Sequence, residues 1–187
     1  NQVVPAIAKT WDVSDDGTTY TFHLNDGMTF SNGDKLDADD VAWSINELVT
    51  KQYHDADSLV NFVSVKASDP NTVELKLSAP YANLLWVLTG RPGLVFDKDA
   101  KYDAKTQAIG SGPYTVEKFV TNSSITLKAN PNYWGANKAK TDTVVVRYFT
   151  DDNAAVNALK SGDVQVLAPI SENLAEPFTK DSDHYVV

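Results

Sequence analysis

The chain has 187 residues, with 25 acidic against 16 basic side chains, a formal charge of −9, 42% hydrophobic and 22% charged content, and no cysteine. These are globular proportions, enough for one good core or two small lobes, and they exclude disulfides, thiolate catalysis and cysteine-ligated metals. The basic residues are scattered, which argues against a nucleic-acid surface, and no apolar run is long enough to span a membrane.

In chain order, Asp15-Asp16-Gly17 supplies a turn, the carboxylates bonding local backbone and the glycine accepting positive φ. Tyr20, Phe22 and Leu24 then alternate with Thr19, Thr21 and His23, which predicts a strand with one buried face. Asp26-Gly27 and Asn32-Gly33 are further turns. Asp37 is suited to cap a helix over 38–50, with Asp39 and Asp40 in its first turn, where the backbone dipole favours negative charge, and Val41, Ile45, Leu48 and Val49 as its apolar stripe. Strands over 60–67 and 72–77 follow, joined at Asp69-Pro70-Asn71. Pro80 opens a short helix carrying Tyr81, Leu84, Leu85 and Leu88 on one face. The polar stretch Asp97–Gln107 reads as a linker or surface loop.

Tyr114–Val120 and Ile125–Ala129 make a hairpin across Thr121-Asn122-Ser123. Val144-Val145-Val146, in the run to Phe149, is continuously apolar, as for a strand buried on both faces. Asp151 or Asp152 caps a helix ending at Gly162, and Val164–Ala168 completes a β-α-β unit. His184-Tyr185-Val186-Val187 reads as a further apolar strand.

The segment from Trp11 through Asp16-Gly17, Tyr20-Thr21-Phe22, Gly27–Phe30, Asn32-Gly33 and Leu36–Ser44 resembles the peptide/nickel-type (family 5) solute-binding proteins of bacterial ABC importers. Gly110-Ser111-Gly112-Pro113-Tyr114, Asn130-Pro131-Asn132-Tyr133-Trp134-Gly135 and Ala158–Val164 carry the same resemblance, with Gln165 where an acidic residue is common. The resemblance implies an α/β (mixed α+β) fold, a piece of a class II periplasmic-binding-protein-like architecture with mixed and antiparallel sheets. It implies that residues 1–108 are a β-rich α/β domain inserted into the first ligand-clasping lobe, and that residues 109–187 are the returning part of that lobe. An excised fragment is expected, since family members are more than twice as long, and Asn1-Gln2-Val3-Val4 has neither the basic segment nor the apolar core of a signal peptide. With one wall of the cleft absent, such a fragment should fold yet hold solute weakly.

By the same resemblance, the function is capture of a peptide outside the cytoplasmic membrane for ABC permease subunits, in the periplasm or as a lipid-anchored surface protein. A nickel-chelate receptor of the same architecture is the alternative, and a hydrolase the remote one. No cofactor, resident metal or nucleic-acid partner is implied.

The chemical motifs in the residues themselves read mostly as structure. Asp12-x-Ser14-x-Asp16-Gly17 imitates the opening of a calcium loop, but its bidentate position falls on His23. His23, His54 and His184 have no metal-ligand spacing. Asp39-Asp40 and Asp151-Asp152 could be paired catalytic carboxylates, yet both sit where helix caps belong. Trp11, Trp43, Trp86 and Trp134 read as buried anchors rather than stacking platforms. Arg91, in Thr89-Gly90-Arg91-Pro92-Gly93, is the single candidate site residue. Pro92 should hold it extended, and it is either a solvated loop residue or ion pair or, by resemblance to nickel-importing members, a contact to a chelator carboxylate.

Overall fold

The computed structural model describes residues 2–103, 105–168 and 171–179. The chain divides into two compact units, Asn1–Phe119 with Thr126–Val144, and Val120–Ile125 with Val145–Val187.

The first unit is built on an antiparallel sheet in the order β1-β2-β4-β3, formed by β1 (Ala8–Val13), β2 (Thr19–Leu24), β3 (Phe62–Asp69) and β4 (Thr72–Leu77). The alternation expected of β2 is present, with Tyr20 and Leu24 buried and Phe22 partly so. β4 places Val73, Leu75 and Leu77 on the same core, and α1 (Ala38–Thr50) packs against β3 and β4. Each fully buried aliphatic side chain there contributes about 1.5–3 kcal/mol. β1 was not expected, because Lys9, Asp12 and the half-buried Trp11 carry no clear alternation; its pairing with β2 places it in the sheet.

The loop from β2 to α1 is itself core. Met28, Phe30 and Leu36 are almost completely buried, and a bridge between Thr29 and Lys35 closes the loop. Ser31 N–H donates to the Gly110 carbonyl at 2.8 Å, and Ile109 and Trp134 pack on the same core. Asn130, also buried, donates to the Gly112 carbonyl at 3.1 Å and accepts from Asn132 N–H at 3.0 Å. The loop at Phe30–Gly33, Gly110–Tyr114 and Asn130–Gly135, three of the stretches that carried the resemblance, are therefore bonded to one another.

A second sheet has the order β5-β6-β7, with β5 (Tyr114–Val120), β6 (Ser124–Ala129) and β7 (Thr143–Arg147). β7 is not buried on both faces: among the described residues it has one neighbour, and Val145 and Val146 are exposed.

In the second unit, α3 (Asp152–Ser161) is capped by Asp151, whose Oδ1 accepts from Ala154 N–H at 2.8 Å, and ends at Gly162 with φ 81°. Val164–Ala168 is irregular rather than a strand, and the β-α-β unit is not completed; among the described residues no strand pairs with it. α4 (Glu172–Thr179), which the sequence did not announce, buries Phe178 with the Lys160 ammonium 5.6 Å from its ring. The strand expected at His184–Val187 lies outside the described residues.

Candidate functional site

α2 (Leu84–Val87) is one turn long, shorter than the apolar face from Tyr81 to Leu88 suggested. Fully buried Leu84 anchors it, while Trp86 is 53% exposed and so is not the buried anchor its size suggested. The chain leaves α2 into a 3-10 turn, Arg91–Gly93, closed by Gly93 N–H to the Gly90 carbonyl and Leu94 N–H to the Arg91 carbonyl, both at 3.1 Å. Arg91 is therefore in a tight turn, not extended. Buried Pro92 seats that turn, and Gly93 passes so close to the end of α2 that a Cβ there would run into the Leu88 carbonyl.

Arg91 is exposed and points to the turn after α1. Its Nη1 donates to Asp55 Oδ2 at 3.0 Å and lies 3.3 Å from His54 Nδ1. His54 Nδ1 is 2.7 Å from Asp55 Oδ1. A carboxylate only accepts, so Nδ1 carries the proton of that bond and His54 cannot also accept from Arg91. The His54 hydrogen bond, with help from Arg91, holds the Asp55 carboxyl below its usual range. Asp55 itself has φ 69°, a left-handed backbone that Asp tolerates, and its carbonyl accepts from Ser58 N–H at 3.1 Å and Ser58 Oγ at 2.6 Å.

These groups border a shallow cavity of about 310 Å³, lined by Asp55, Ser58, Trp86, Val87, Thr89, Gly90, Arg91 and Pro92. A larger depression of about 630 Å³ shares Trp86 and Thr89 with it and is otherwise walled mainly by apolar side chains such as Trp11, Phe22, Ile45 and Leu88. Asp55 and Trp86 belong to the site although the sequence singled out neither for it. Asp55 is 36 positions from Arg91, and nothing in the local pattern links them.

The segment after the turn is pinned to α1. Asp40, 2% exposed, accepts from Asp37 N–H at 3.1 Å, completing a capping box, and from Lys98 N–H at 3.3 Å, with Lys98 Nζ 3.6 Å away. Ser44 Oγ donates to the Phe96 carbonyl at 3.3 Å and accepts from Phe96 N–H at 2.9 Å. Although burial works against it, the Lys98 ammonium is raised above its ordinary value by Asp40, with help from Asp99 and Asp37. Asp97, expected in a surface loop, is buried and accepts from Asn32 Nδ2 at 2.9 Å and from the N–H groups of Asp99 and Ala100 at 3.0 and 3.1 Å.

The acidic pairs are split between unlike tasks. Asp40 is buried against Lys98 while Asp39 is exposed; Asp151 caps α3 while Asp152 is its first residue. Asp16 accepts from Ser14 Oγ and from Thr18 N–H and Oγ1 in the β1–β2 turn, which lowers its pKa, and Asp12 pairs with His23 at 2.9 Å. Among the described residues no group of three or more His, Cys, Asp or Glu side chains is placed to hold a metal ion.

The family model described as bacterial extracellular solute-binding proteins, family 5 Middle, matches residues 2–186. The chain is similar to the dipeptide-binding protein of Escherichia coli K12, 31% identical over 194 residues that cover 89% of this chain and 36% of that one. It is also similar to protein XP55 of Streptomyces lividans, 35% identical, covering 96% and 34%. Among solved structures, NikZ of Campylobacter jejuni in complex with Ni(L-His) superposes with a TM-score of 0.77 at 28% identity, covering 86% of this chain and 34% of that one. NikA of Brucella suis in complex with Fe(III)-EDTA gives 0.78 at 26%, covering 95% and 38%. The chain thus spans about a third of the length of the curated relatives it matches.

Proposed function

From its membership of the bacterial extracellular solute-binding proteins, family 5, we propose that the protein carrying this chain captures peptides outside the cytoplasmic membrane and presents them to ABC permease subunits. The observation that carries this reading is the likeness, over 89% of the chain, to a protein named for dipeptide binding. In this reading residues 1–108 form the inserted domain and residues 109–187 the returning part of the first ligand-clasping lobe. The mechanism is closure of two lobes around the solute, driven by contacts with both. The protein works in the periplasm or as a lipid-anchored surface protein, and it is a receptor rather than an enzyme.

Arg91 is the solute contact in this proposal. Its planar guanidinium can hold a carboxylate by two parallel hydrogen bonds, and it lies at the rim of a cavity on a turn held by Pro92 and Gly93. Likeness to the NikZ and NikA structures supports a second reading, a receptor for a nickel chelate. Mass spectrometry of solute co-purified with the protein at its full natural length separates the two. Arg91→Ala should weaken solute binding about tenfold or more, the scale of a charge-assisted hydrogen bond of about 1.5 kcal/mol or above. Arg91→Lys should recover part of it. Unchanged calorimetric affinity in Arg91→Ala, at an unchanged melting temperature, removes Arg91 from the site.

A further inference from the structure

Arg91 is the one basic side chain lining its cavity among the described residues, and Asp55 is the one carboxylate. The pair is joined through a single nitrogen, Nη1, at 3.0 Å. A guanidinium has five N–H donors in a fixed fork, so one edge engaged by Asp55 leaves another to meet a ligand carboxylate. The Asp55 carboxylate takes His54 on Oδ1 and Arg91 on Oδ2. An ionised carboxylate has about four lone-pair sites, so these two bonds leave it able to accept from a further donor.

We infer that Asp55 is a specificity-determining residue that makes this site select a solute bearing an ammonium beside its carboxylate over an anionic metal chelate. The inference rests on Arg91 being a solute contact. Arg91 and Asp55 together carry no net charge: an anion attracted by Arg91 meets Asp55 a few ångströms beyond, and the two effects largely cancel. A zwitterion meets both partners with the favourable sign. Like-charge opposition of this kind is how a site rejects a close competitor as well as welcoming its solute. The lining also holds no second cation to favour a polyanionic chelate. The position of Asp55 is set by the Ser58 bonds to its carbonyl and by buried Ala56 and Leu59 just after it, so its carboxylate is a built part of the rim.

The test is calorimetry at pH 8 on the protein at its full natural length, with dialanine, N-acetyl-dialanine, dialaninamide and nickel–citrate as probes. Wild type should bind dialanine at least tenfold more tightly than the two blocked forms or the chelate. Asp55→Asn, which tolerates the same left-handed backbone, should lose about tenfold for dialanine. It should leave N-acetyl-dialanine unchanged or tighter, closing the gap between them. Melting temperature checks that the variant is folded, and Asp55→Ser gives a second uncharged side chain at the position. If Asp55→Asn and Asp55→Ser keep the wild-type ratio while Arg91→Ala still weakens dialanine, the role of Asp55 is overturned and the Arg91 reading stands. If Arg91→Ala changes nothing, both fall. Preference of wild type for nickel–citrate overturns the inference directly.

Discussion

Replacing Asp40 by Asn tests whether the acidic start of α1 is a surface cap or a buried brace. As a cap alone, the change would cost about 0.3–1 kcal/mol, the scale of a charge at a helix terminus. The structure asks for more, because Asp40 is 2% exposed and faces only donors: Asp37 N–H, Lys98 N–H and the Lys98 ammonium. An amide at this position keeps one acceptor and turns its NH2 group toward one of them. A charge-assisted hydrogen bond is worth about 1.5–3 kcal/mol, and stripping one member from a fully buried ion pair costs about 3–5 kcal/mol. The Lys98 side chain is 33% exposed and keeps Asp99 at 3.3 Å, so solvent and that second partner reduce the larger figure. The expected loss is about 2–3 kcal/mol. All four tryptophans lie in the first compact unit, so urea denaturation followed by tryptophan fluorescence reports on that unit. Asp39→Asn, at an exposed position one residue earlier, is the control and should cost no more than about 1 kcal/mol. Equal losses in the two variants would refute the brace.

Two further outcomes follow from the same region. Gly93→Ala drives a Cβ into the Leu88 carbonyl, so the turn that carries Arg91 must shift; the expected cost is about 1–3 kcal/mol, as for other overpacking, with weaker solute binding, and a melting temperature equal to wild type would contradict it. Burial opposes the charge of Asp97, but the Asn32 amide and the N–H groups of Asp99 and Ala100 outweigh it, leaving its pKa lowered in the fold. Stability from this group is then fully present above the unfolded value near 3.9 and is lost as pH falls through the folded value. The difference in urea midpoint between wild type and Asp97→Asn should accordingly narrow below about pH 4, and a gap that stays constant from pH 7 to pH 3 would sink that account.

What the sequence made legible is what short-range physics decides. β2 announced itself by alternation, and α1 by Asp37 and its apolar stripe; β4 followed from Val73, Leu75 and Leu77. The misses lie where a distant partner decides. β1 exists because β2 offers it an edge, while Val164–Ala168 has suitable residues yet pairs with no strand among the described residues. The exposure of β7 goes with its single neighbour among the described residues, which an apolar run cannot reveal. Arg91 stood out because glycines flank it on both sides, but Asp55 and His54, its partners, are brought to it only by the packing of α2 beside the turn after α1. Asp97 looked like a loop residue because polarity was its only visible property; its burial depends on Asn32, 65 positions away.

The placement of the candidate site suggests how such a scaffold can change solute without changing fold. Arg91 and Asp55 sit on two short turns, each tied down by buried residues: Leu84 and Pro92 for one, Ala56 and Leu59 for the other. The chain that follows Arg91 is fixed to α1 by Ser44 and Asp40, so the turn is held at both ends. Asp40 and Ser44, from a stretch that made the sequence recognisable, are therefore part of the brace, while the side chains that meet a solute in this proposal are exposed and energetically light. Rim residues of that kind can be exchanged at small cost in stability, whereas Asp40, Ser44, Gly93 and Asp97 cannot. A charge change at position 55 should thus move solute preference and leave the melting temperature nearly unaltered, the reverse of what a change at position 40 should do.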